Sequence, residues 1–577
     1  MNAVAAAEPR ARTSAGRSLP PWWPLAALIV FAAALRLATL TEQSFWYDEA
    51  FTPVHVFHSG LSATLHSVVH SENTPPLWYL LAWVDVRLFG DGALALRLPS
   101  ALAGIATVPV VWAIGSELAG RRTALIAAAL VAVNPLFVWY SQEARAYGLF
   151  VLFSALALLC FVRLLHDPTR NRALAFALSG ALALLTHYFA VFLLLPMALL
   201  LLREKASRKS ALPALGAIGL VALALLPLIS AQGGHGTQWI GRWALSSRLQ
   251  AIPQYFLTGY SGAPLGHGVE LLVALPIIVG VLLGGRRLLS RTTSAEAITS
   301  ADRHEPALAQ LRTGVSISFT IAAFAVLAPI VLAVLGADYL APRNLVGAMV
   351  PVVVLLAILF AAVDAEAGAA ALDRLRAGAS VRAGAAKRLP LGAMLAAVSV
   401  AASLVISLDV DASPRMQRGN WRDVAKLLRT AAGEGAHGTV PPPAGSTQAG
   451  RVITTVELGA APLEYYLHAQ MHLRNLSSHA AVNVSEIDET GYAPLRKGAA
   501  EPPVPGFRLR ERRNVDGLFV YRFVSSIPRT VSEADLRRHV ITLAHPEVLV
   551  PSGADIVRIA AGTGSPSSQM SSSDQNI

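Results

Sequence analysis

The chain has 577 residues, 54% of them hydrophobic and only 14% charged, and its mean hydropathy is +0.51. Those values exclude a soluble globular domain and describe a chain that crosses a membrane many times. The formal net charge of +11 does not mark a nucleic-acid-binding protein, because most basic residues fall in short loops between apolar runs, where they orient spans and meet anionic headgroups.

Arg10, Arg12 and Arg17 precede the apolar run Trp22–Leu40. The run is too long for a signal-peptide core and lacks an evident cleavage site, so it reads as an uncleaved signal anchor behind a cytoplasmic N-terminus, 1–21. Further runs of membrane length lie at about 93–118, 122–140, 147–165, 212–230, 268–288, 314–336, 345–363 and 390–408. A longer run at 173–202 is broken by Thr186-His187-Tyr188. The basic clusters Arg121-Arg122, Arg170 with Arg172, Arg203–Lys209, Arg286–Arg291 and Arg374–Arg388 belong on the cytoplasmic side. The run 173–202 must then pass out and back, with His187 at the outer turn. The stretch Pro75–Phe89, which carries Asp85 and Arg87, does not span. It is expected as a helix in the outer interface, with Trp78, Tyr79 and Trp83 at headgroup level.

The expectation is a polytopic α-helical membrane protein of about eleven spans over residues 22–408. The loops 41–92, 141–146, 231–267 and 337–344 then face outward. Beyond Leu408 the composition changes, with Pro441-Pro442-Pro443, an amphipathic helix near Trp421–Thr430, and β-type runs at Arg451–Val456, Gly517–Phe523 and His539–Leu543. A small extracytoplasmic α/β domain over 409–560 follows, then a disordered polar tail, 561–577. The single cysteine, Cys160, sits in an apolar run, so no disulfide framework exists.

The polar residues suited to chemistry gather on the outer side. Asp48 and Glu49 follow Phe45-Trp46-Tyr47 at the end of the first span. A carboxylate there can take a proton from an acceptor hydroxyl, or ligate a divalent cation that neutralises a phosphate leaving group; a solvated loop pair is the plain alternative. His70 and Glu72 precede Pro75-Pro76-Leu77 and are candidates to line a cavity, although the two prolines are explained by a helix start alone. In Tyr140-Ser141-Gln142-Glu143-Ala144-Arg145-Ala146-Tyr147, Arg145 can grip a phosphate through two parallel hydrogen bonds, while Glu143 orients that arginine, assists a metal, or caps the turn with it. His187 and Tyr188 mark one outer turn, and Tyr339 with Arg343 another. An outward arginine at a span entrance binds an anion or snorkels to headgroups. Gln238, Trp239, Arg242, Trp243 and Tyr255 form an aromatic-basic loop suited to sugars or headgroups.

In these residues the chain resembles the polyprenyl-phosphate-dependent glycosyltransferases of the GT-C superfold, in particular the protein O-mannosyltransferase and aminoarabinose transferase branch, family 39. The resemblance runs from about Trp22 to Phe360. It rests on the Asp48-Glu49 pair after the first span, Pro75-Pro76-Leu77, Leu96-Arg97-Leu98-Pro99-Ser100, Gly120-Arg121-Arg122, Asn134-Pro135 and Tyr140–Tyr147, in that order. It implies a lipid-linked sugar donor such as mannosyl phosphoryl polyprenol, an inverting displacement with Asp48 as base, and cationic support of the leaving phosphate, for which Arg145 and Arg343 are the candidates. Gln142, Glu143, Tyr147, His187, Tyr188, Tyr339, His70 and Glu72 are the further substrate-binding candidates. Where the aminoarabinose enzymes place a lysine before the proline pair, this chain has Glu72-Asn73-Thr74. The sugar-modifying repeats of eukaryotic protein mannosyltransferases are absent from the sequence as well, so the acceptor stays open among lipid, glycan and protein. No cofactor is specified beyond the optional divalent cation at Asp48 and Glu143. The alanine- and arginine-rich composition points to a bacterial plasma membrane. A transporter or flippase of lipid-linked sugars is the competing reading, although such proteins carry repeated halves and polar midplane residues, whereas Ala124–Val133 and Val350–Ala361 are plain apolar sequence.

Overall fold

A computed structural model of the protein describes residues 22–233, 237–262, 265–289, 298–364, 390–429, 450–468, 471–539, 541–542 and 545–558. The expected N-terminal segment 1–21, Arg291, the basic cluster Arg374–Arg388, Pro441-Pro442-Pro443 and the tail 561–577 lie outside the described residues.

The helices in chain order are α1 (Trp23–Leu37), α2 (Tyr47–Val56), α3 (Leu61–Ser71), α4 (Leu77–Phe89), α5 (Ala93–Val133), α6 (Pro135–Ser141), α7 (Tyr147–His166), α8 (Arg170–Thr186), α9 (Val191–Arg203), α10 (Lys205–Gln232), α11 (Gln238–Arg242), α12 (Leu245–Gly262), α13 (His267–Leu289), α14 (Ile298–Val334) and α15 (Met349–Val363), followed by Leu391–Ala412. Among the described residues, seven helices are long and apolar enough to cross a membrane, which makes this a polytopic helical membrane protein. The hairpin expected over 173–202 is present as α8 and α9, turning at His187, although the two helices have only 17 and 13 residues. The most apolar window of Pro342–Val363 is 83% buried and that of α10 only 17%. The first is therefore the central helix, and the second presents Leu220, Leu223 and Leu226 to the surroundings, as a lipid-facing helix must.

Two boundaries differ from the sequence expectation. The runs 93–118 and 122–140 form one 41-residue element that turns at Gly120, whose φ of +83° is open to glycine and strained for other residues. The second run stops at Val133 rather than continuing to 140. Asn134 leaves helical geometry, its Oδ1 accepts from Leu136 N (3.0 Å) and Phe137 N (3.2 Å), and Pro135 opens α6 as a fresh helix.

The helix over 77–89 is present, but Trp78 and Tyr79 are fully buried rather than at headgroup level. They share a helical face with Ala82 and Asp85, and that face packs toward α2, with Trp78 Nε1 donating to Thr52 Oγ1 at 3.1 Å. The exposed face is Leu81, Val84 and Leu88. Aromatic identity suggested the interface, whereas the 3.6-residue period decided the burial.

The described residues of the C-terminal part form a sheet with three short α-helices. Its strands are β1 (Arg451–Thr455), β2 (Leu473–Asn475), β3 (Ala480–Tyr492), β4 (Arg508–Val515), β5 (Leu518–Ser532), β6 (Glu547–Pro551) and β7 (Ile556–Arg558), in the order β2-β6-β1-β3-β5-β4, with β7 also paired to β3. The β1–β3 pair is parallel and the others are antiparallel. The expected runs at 451–456 and 517–523 are β1 and the start of β5, and the helix Trp421–Arg429 is present. The stretch 539–543 is not a strand in its described residues; Thr542 makes an isolated bridge to Leu495. The sheet docks on the helical part through a shared apolar cluster of Trp46, Trp421, Ile453, Leu463 and Leu518. Tyr466 Oη accepts from Phe45 N at 2.8 Å, and Arg242 pairs with Glu457 at 2.7 Å.

Candidate active site

Trp46 is extended and the helix begins at Tyr47, so Asp48 and Glu49 occupy the first turn of α2, the positive end of the helix dipole. Successive helical residues point about 100° apart, and these two carboxylates accordingly diverge. Glu49 turns inward. Arg97 from α5 meets it through two bonds, Nε to Oε1 at 2.5 Å and Nη2 to Oε2 at 2.7 Å, and Ala144 N donates to Oε1 at 2.8 Å. The remaining Arg97 donors reach the carbonyls of Leu40 (2.8 Å), Gln43 (2.9 Å) and Ser44 (3.2 Å). Glu49 lines neither of the two large cavities described below. It anchors the first turn of α2 that carries Asp48, and this geometry corrects its expected place beside Asp48 as a catalytic group.

Asp48 turns the other way. Its Oδ2 is buried and accepts no hydrogen bond, although Arg343 Nη1 stands 3.3 Å away and Arg145 Nη2 lies 3.9 Å from Oδ1. Arg145 comes from the turn between α6 and α7. It is held by Glu72, with Nη1 to Oε1 at 2.8 Å and Nη2 to Oε2 at 3.3 Å, and it donates to Tyr79 Oη at 2.8 Å. Burial alone would raise the Glu72 carboxyl, but Arg145 and His55, whose Nε2 is 3.4 Å from Oε1, hold it well below the usual carboxylate range. Glu72 thus fixes the arginine while staying charged. His55 takes the place expected of His70, which sits on the exposed face of α3 with its ring against His66 and Nδ1 on the His66 carbonyl. His70 is not part of the site.

Behind Asp48 lies a second acidic side chain. Glu143 is fully buried and neither carboxylate oxygen has a hydrogen-bond partner, while Arg418 Nη2 is 3.6 Å away. Burial pushes the Glu143 carboxyl up to about 8, against the pull of Arg418 and with the help of Asp48 and Glu49. Arg418 belongs to the segment after the last long helix. It donates to Gln43 Oε1 (3.0 Å) and to the Trp139 carbonyl (3.0 Å), with its guanidinium 4.2 Å from the Trp139 ring centroid. Gln142 Nε2 donates to Thr39 Oγ1 at 2.8 Å and to the carbonyls of Leu35 and Arg36 at 3.3 Å. It ties α1 to the turn and lines neither large cavity.

Two cavities meet at Asp48. One, of about 460 Å³, is lined by aliphatic and aromatic side chains such as Leu184, Phe192, Leu226 and Leu332, and Arg145, Glu72, Tyr147, His187, Tyr188 and Tyr339 reach its polar end. Burial, with Arg145 and Arg343 nearby, lowers His187 to about 3, so the ring is neutral; it stacks on Phe150 at 4.6 Å. Tyr188 Oη donates to Gln232 Oε1 at 2.7 Å. The other cavity, of about 480 Å³, opens between the helical part and the sheet and is rich in aromatic rings. Asp48, Arg343, Trp239 and Leu458 line both. The sequence reading missed Arg97, His55, Tyr79 and Arg418. Arg97 lay within a quoted motif, and its burial was the missing information.

The residues do not fit a protein-held divalent cation. Arginines face the two carboxylates considered for it, Asp48 from Arg145 and Arg343, Glu143 from Arg418. No group of three His, Cys, Asp or Glu able to hold a metal occurs among the described residues.

A buried carboxylate between two arginines, at the mouth of an apolar cavity in a helical membrane bundle, is suited to a substrate with a phosphate head and a lipid tail. The family comparison agrees with the resemblance read from the motifs: residues 73–230 match the model of the dolichyl-phosphate-mannose-protein mannosyltransferase family. The match includes Arg145 and leaves Asp48 and Arg343 outside it. Among solved structures, the chain is similar to ArnT from Cupriavidus metallidurans bound to undecaprenyl phosphate, with 12% identity over 87% of this chain and 98% of that one and a TM-score of 0.48. It is also similar to the oligosaccharyltransferase of Archaeoglobus fulgidus tethered with an acceptor peptide (13%, 78% of this chain and 63% of that one, TM-score 0.42). A third likeness is to the arabinosyltransferase EmbB of Mycobacterium smegmatis (11%, 94% and 66%, TM-score 0.40). No curated protein matches the chain by sequence.

Proposed function

We propose that this protein is a membrane glycosyltransferase that moves a sugar, mannose or a close relative, from a polyprenyl-phosphate donor to an acceptor hydroxyl with inversion. The observation that carries the proposal is the Asp48 carboxylate, buried, with Oδ2 free of hydrogen bonds, at the junction of an apolar and an aromatic cavity. The donor's tail lies in the aliphatic cavity, with its phosphate between Arg145 and Arg343. As Arg343 turns to the phosphate, Asp48 Oδ2 becomes open to the acceptor. The acceptor oxygen attacks the anomeric carbon, its proton passes to Asp48, and the bond from that carbon to the phosphate oxygen breaks. The negative charge on the departing phosphate is met by the two guanidiniums. Glu72 and Tyr79 keep Arg145 aimed, and His187, being neutral, adds no competing charge.

The described basic residues at 121–122, 170–172, 203–209 and 286–287 lie at the helix ends opposite those that carry Asp48, Arg145 and His187, which by the positive-inside rule supports an extracytoplasmic site. The family match, to a transferase, gives no support to the transporter reading.

The test uses purified protein in liposomes with radiolabelled mannosyl phosphoryl polyprenol, comparing wild type with Asp48→Asn, each with and without EDTA. Transfer by the wild type, its loss in Asp48→Asn with donor binding retained, and indifference to EDTA are the expected results. Wild-type rates from Asp48→Asn would overturn the assignment.

A further inference from the structure

We infer that the aromatic cavity between the helical part and the C-terminal sheet is the acceptor site and that its ligand is an uncharged saccharide, stacked on rings supplied by both parts. The inference rests on the proposed transfer reaction only in that Asp48 is the group the sugar hydroxyl meets and Arg343 the group the donor phosphate takes.

Six rings line the cavity: Tyr47, Trp239, Trp243, Tyr255, Tyr260 and Tyr492. All six are half-buried, so each is fixed on one side and offers surface on the other. Their positions are fixed by further aromatic packing. Tyr260 stacks on Trp139 at 5.1 Å and meets Trp46 at 5.3 Å and Tyr255 at 5.5 Å. Trp239 and Trp243 stack on each other with an interplanar angle of 28°. Tyr492, at the end of β3, accepts from the buried Trp421 Nε1 at 3.1 Å. Rigid ring faces with polar tips match a sugar, which presents a C–H face to stack and hydroxyls at its rim.

The charge and backbone of the described walls argue against the other acceptor classes. Among the described lining residues the cation is Arg343, which the donor phosphate takes, and Glu457 is paired with Arg242 at 2.7 Å, so no described lining cation is left for an anionic headgroup or a phosphorylated glycan. A lipid acceptor would need alkyl walls, and those belong to the other cavity. An extended peptide would need unpaired backbone donors along a rim. Here Pro342 and Pro494 have none, and Leu458 N is held by Glu547 Oε1 at 3.2 Å. The sheet side contributes Val456, Glu457, Leu458, Tyr492, Ala493, Pro494 and Thr542, so the C-terminal domain forms one wall of the site.

The probes are methyl glycosides and trisaccharides of mannose, glucose, galactose and arabinose at millimolar concentration, with a Ser/Thr-rich octapeptide and a short-chain phospholipid as comparators. Binding is read by tryptophan fluorescence on wild type, Trp243→Ala, Tyr492→Phe and Asp48→Asn in detergent. Sugars should perturb the wild-type signal, and Trp243→Ala should weaken the best sugar by about two- to tenfold. Tyr492→Phe, which keeps the stacking face and loses one polar tip, should weaken binding less than Trp243→Ala does. Trp243 lies outside the aliphatic cavity, so donor KM should be unchanged in Trp243→Ala while acceptor KM rises. Sugar binding that persists in Asp48→Asn supports the cavity assignment whatever becomes of the catalytic one. Absence of any sugar response, a response to the peptide or lipid alone, or equal sugar affinity in Trp243→Ala would overturn the inference.

Discussion

Asp48 and Glu49 are neighbours of nearly identical chemistry, and substituting each should produce opposite phenotypes. Glu49→Gln keeps the volume but removes the charge that neutralises Arg97, and it turns an amide donor toward guanidinium donors. Both side chains are fully buried, and breaking such a pair costs about 3–5 kcal/mol, because the remaining charge stays uncompensated. Glu49→Gln should therefore lower the apparent midpoint of thermal unfolding in detergent by several degrees, while the folded fraction binds donor and turns over. Arg97→Met should cost more, since the carbonyls of Leu40, Gln43 and Ser44 lose their donors too. In the double variant the charge penalty disappears, so the two losses should add to less than their sum. Asp48→Asn breaks no hydrogen bond at Oδ2, and its partner Arg343 is 21% exposed, so the midpoint should fall less than in Glu49→Gln, while transfer falls by about 100- to 10,000-fold, the usual weight of a general base. A Glu49→Gln protein of wild-type stability that has lost turnover specifically would refute the division of roles drawn from the geometry.

Arg145→Lys retains the charge but not the planar fork that Glu72 and Tyr79 hold. Loss of one charge-assisted bond to the donor phosphate should weaken donor binding by about tenfold to a hundredfold, measured as donor KM or by titration with polyprenyl phosphate. For Glu143, the folded value of about 8 lies above the usual 4.5. Such a raised group contributes stability that is fully present below about 4.5 and is lost as pH climbs toward 8. Glu143→Gln should consequently gain on the wild type in thermal midpoint between pH 5 and pH 8.5, and a constant difference across that range would contradict the assignment.

The sequence was informative where one residue carried its meaning alone. Hydropathy located the helical bundle, and the motif around Tyr140–Tyr147 located Arg145. Arg343, singled out as an arginine at a span entrance against the charge rule, faces Asp48. Burial and pairing were not legible. Glu49 and Asp48 look alike until α2 rotates them apart, and His70 is as plausible as His55 until α3 turns it outward. In β3, Glu486, Asp488 and Glu489 hide a buried strand from any alternation pattern, because their partners come from elsewhere in the chain, Arg451 of β1 and Arg522 of β5 for the first two and His539 for Glu489. The same limit hid Arg418, 370 positions from Asp48 in the chain.

Arg418 carries a lesson for anyone who would separate the sheet from the bundle. The last long helix ends at Ala412, and a truncation there looks clean on paper. It would withdraw a guanidinium that sits among Glu49, Glu143, Gln43 and Trp139, leaving a carboxylate-rich void directly beneath Asp48. A shortened chain would thus lose its support under the α2 turn that carries Asp48 even if the missing domain had never touched a substrate. Chimeras that exchange sheet domains between relatives should place the junction before Ser413, so that the incoming domain brings its own equivalent of this plug.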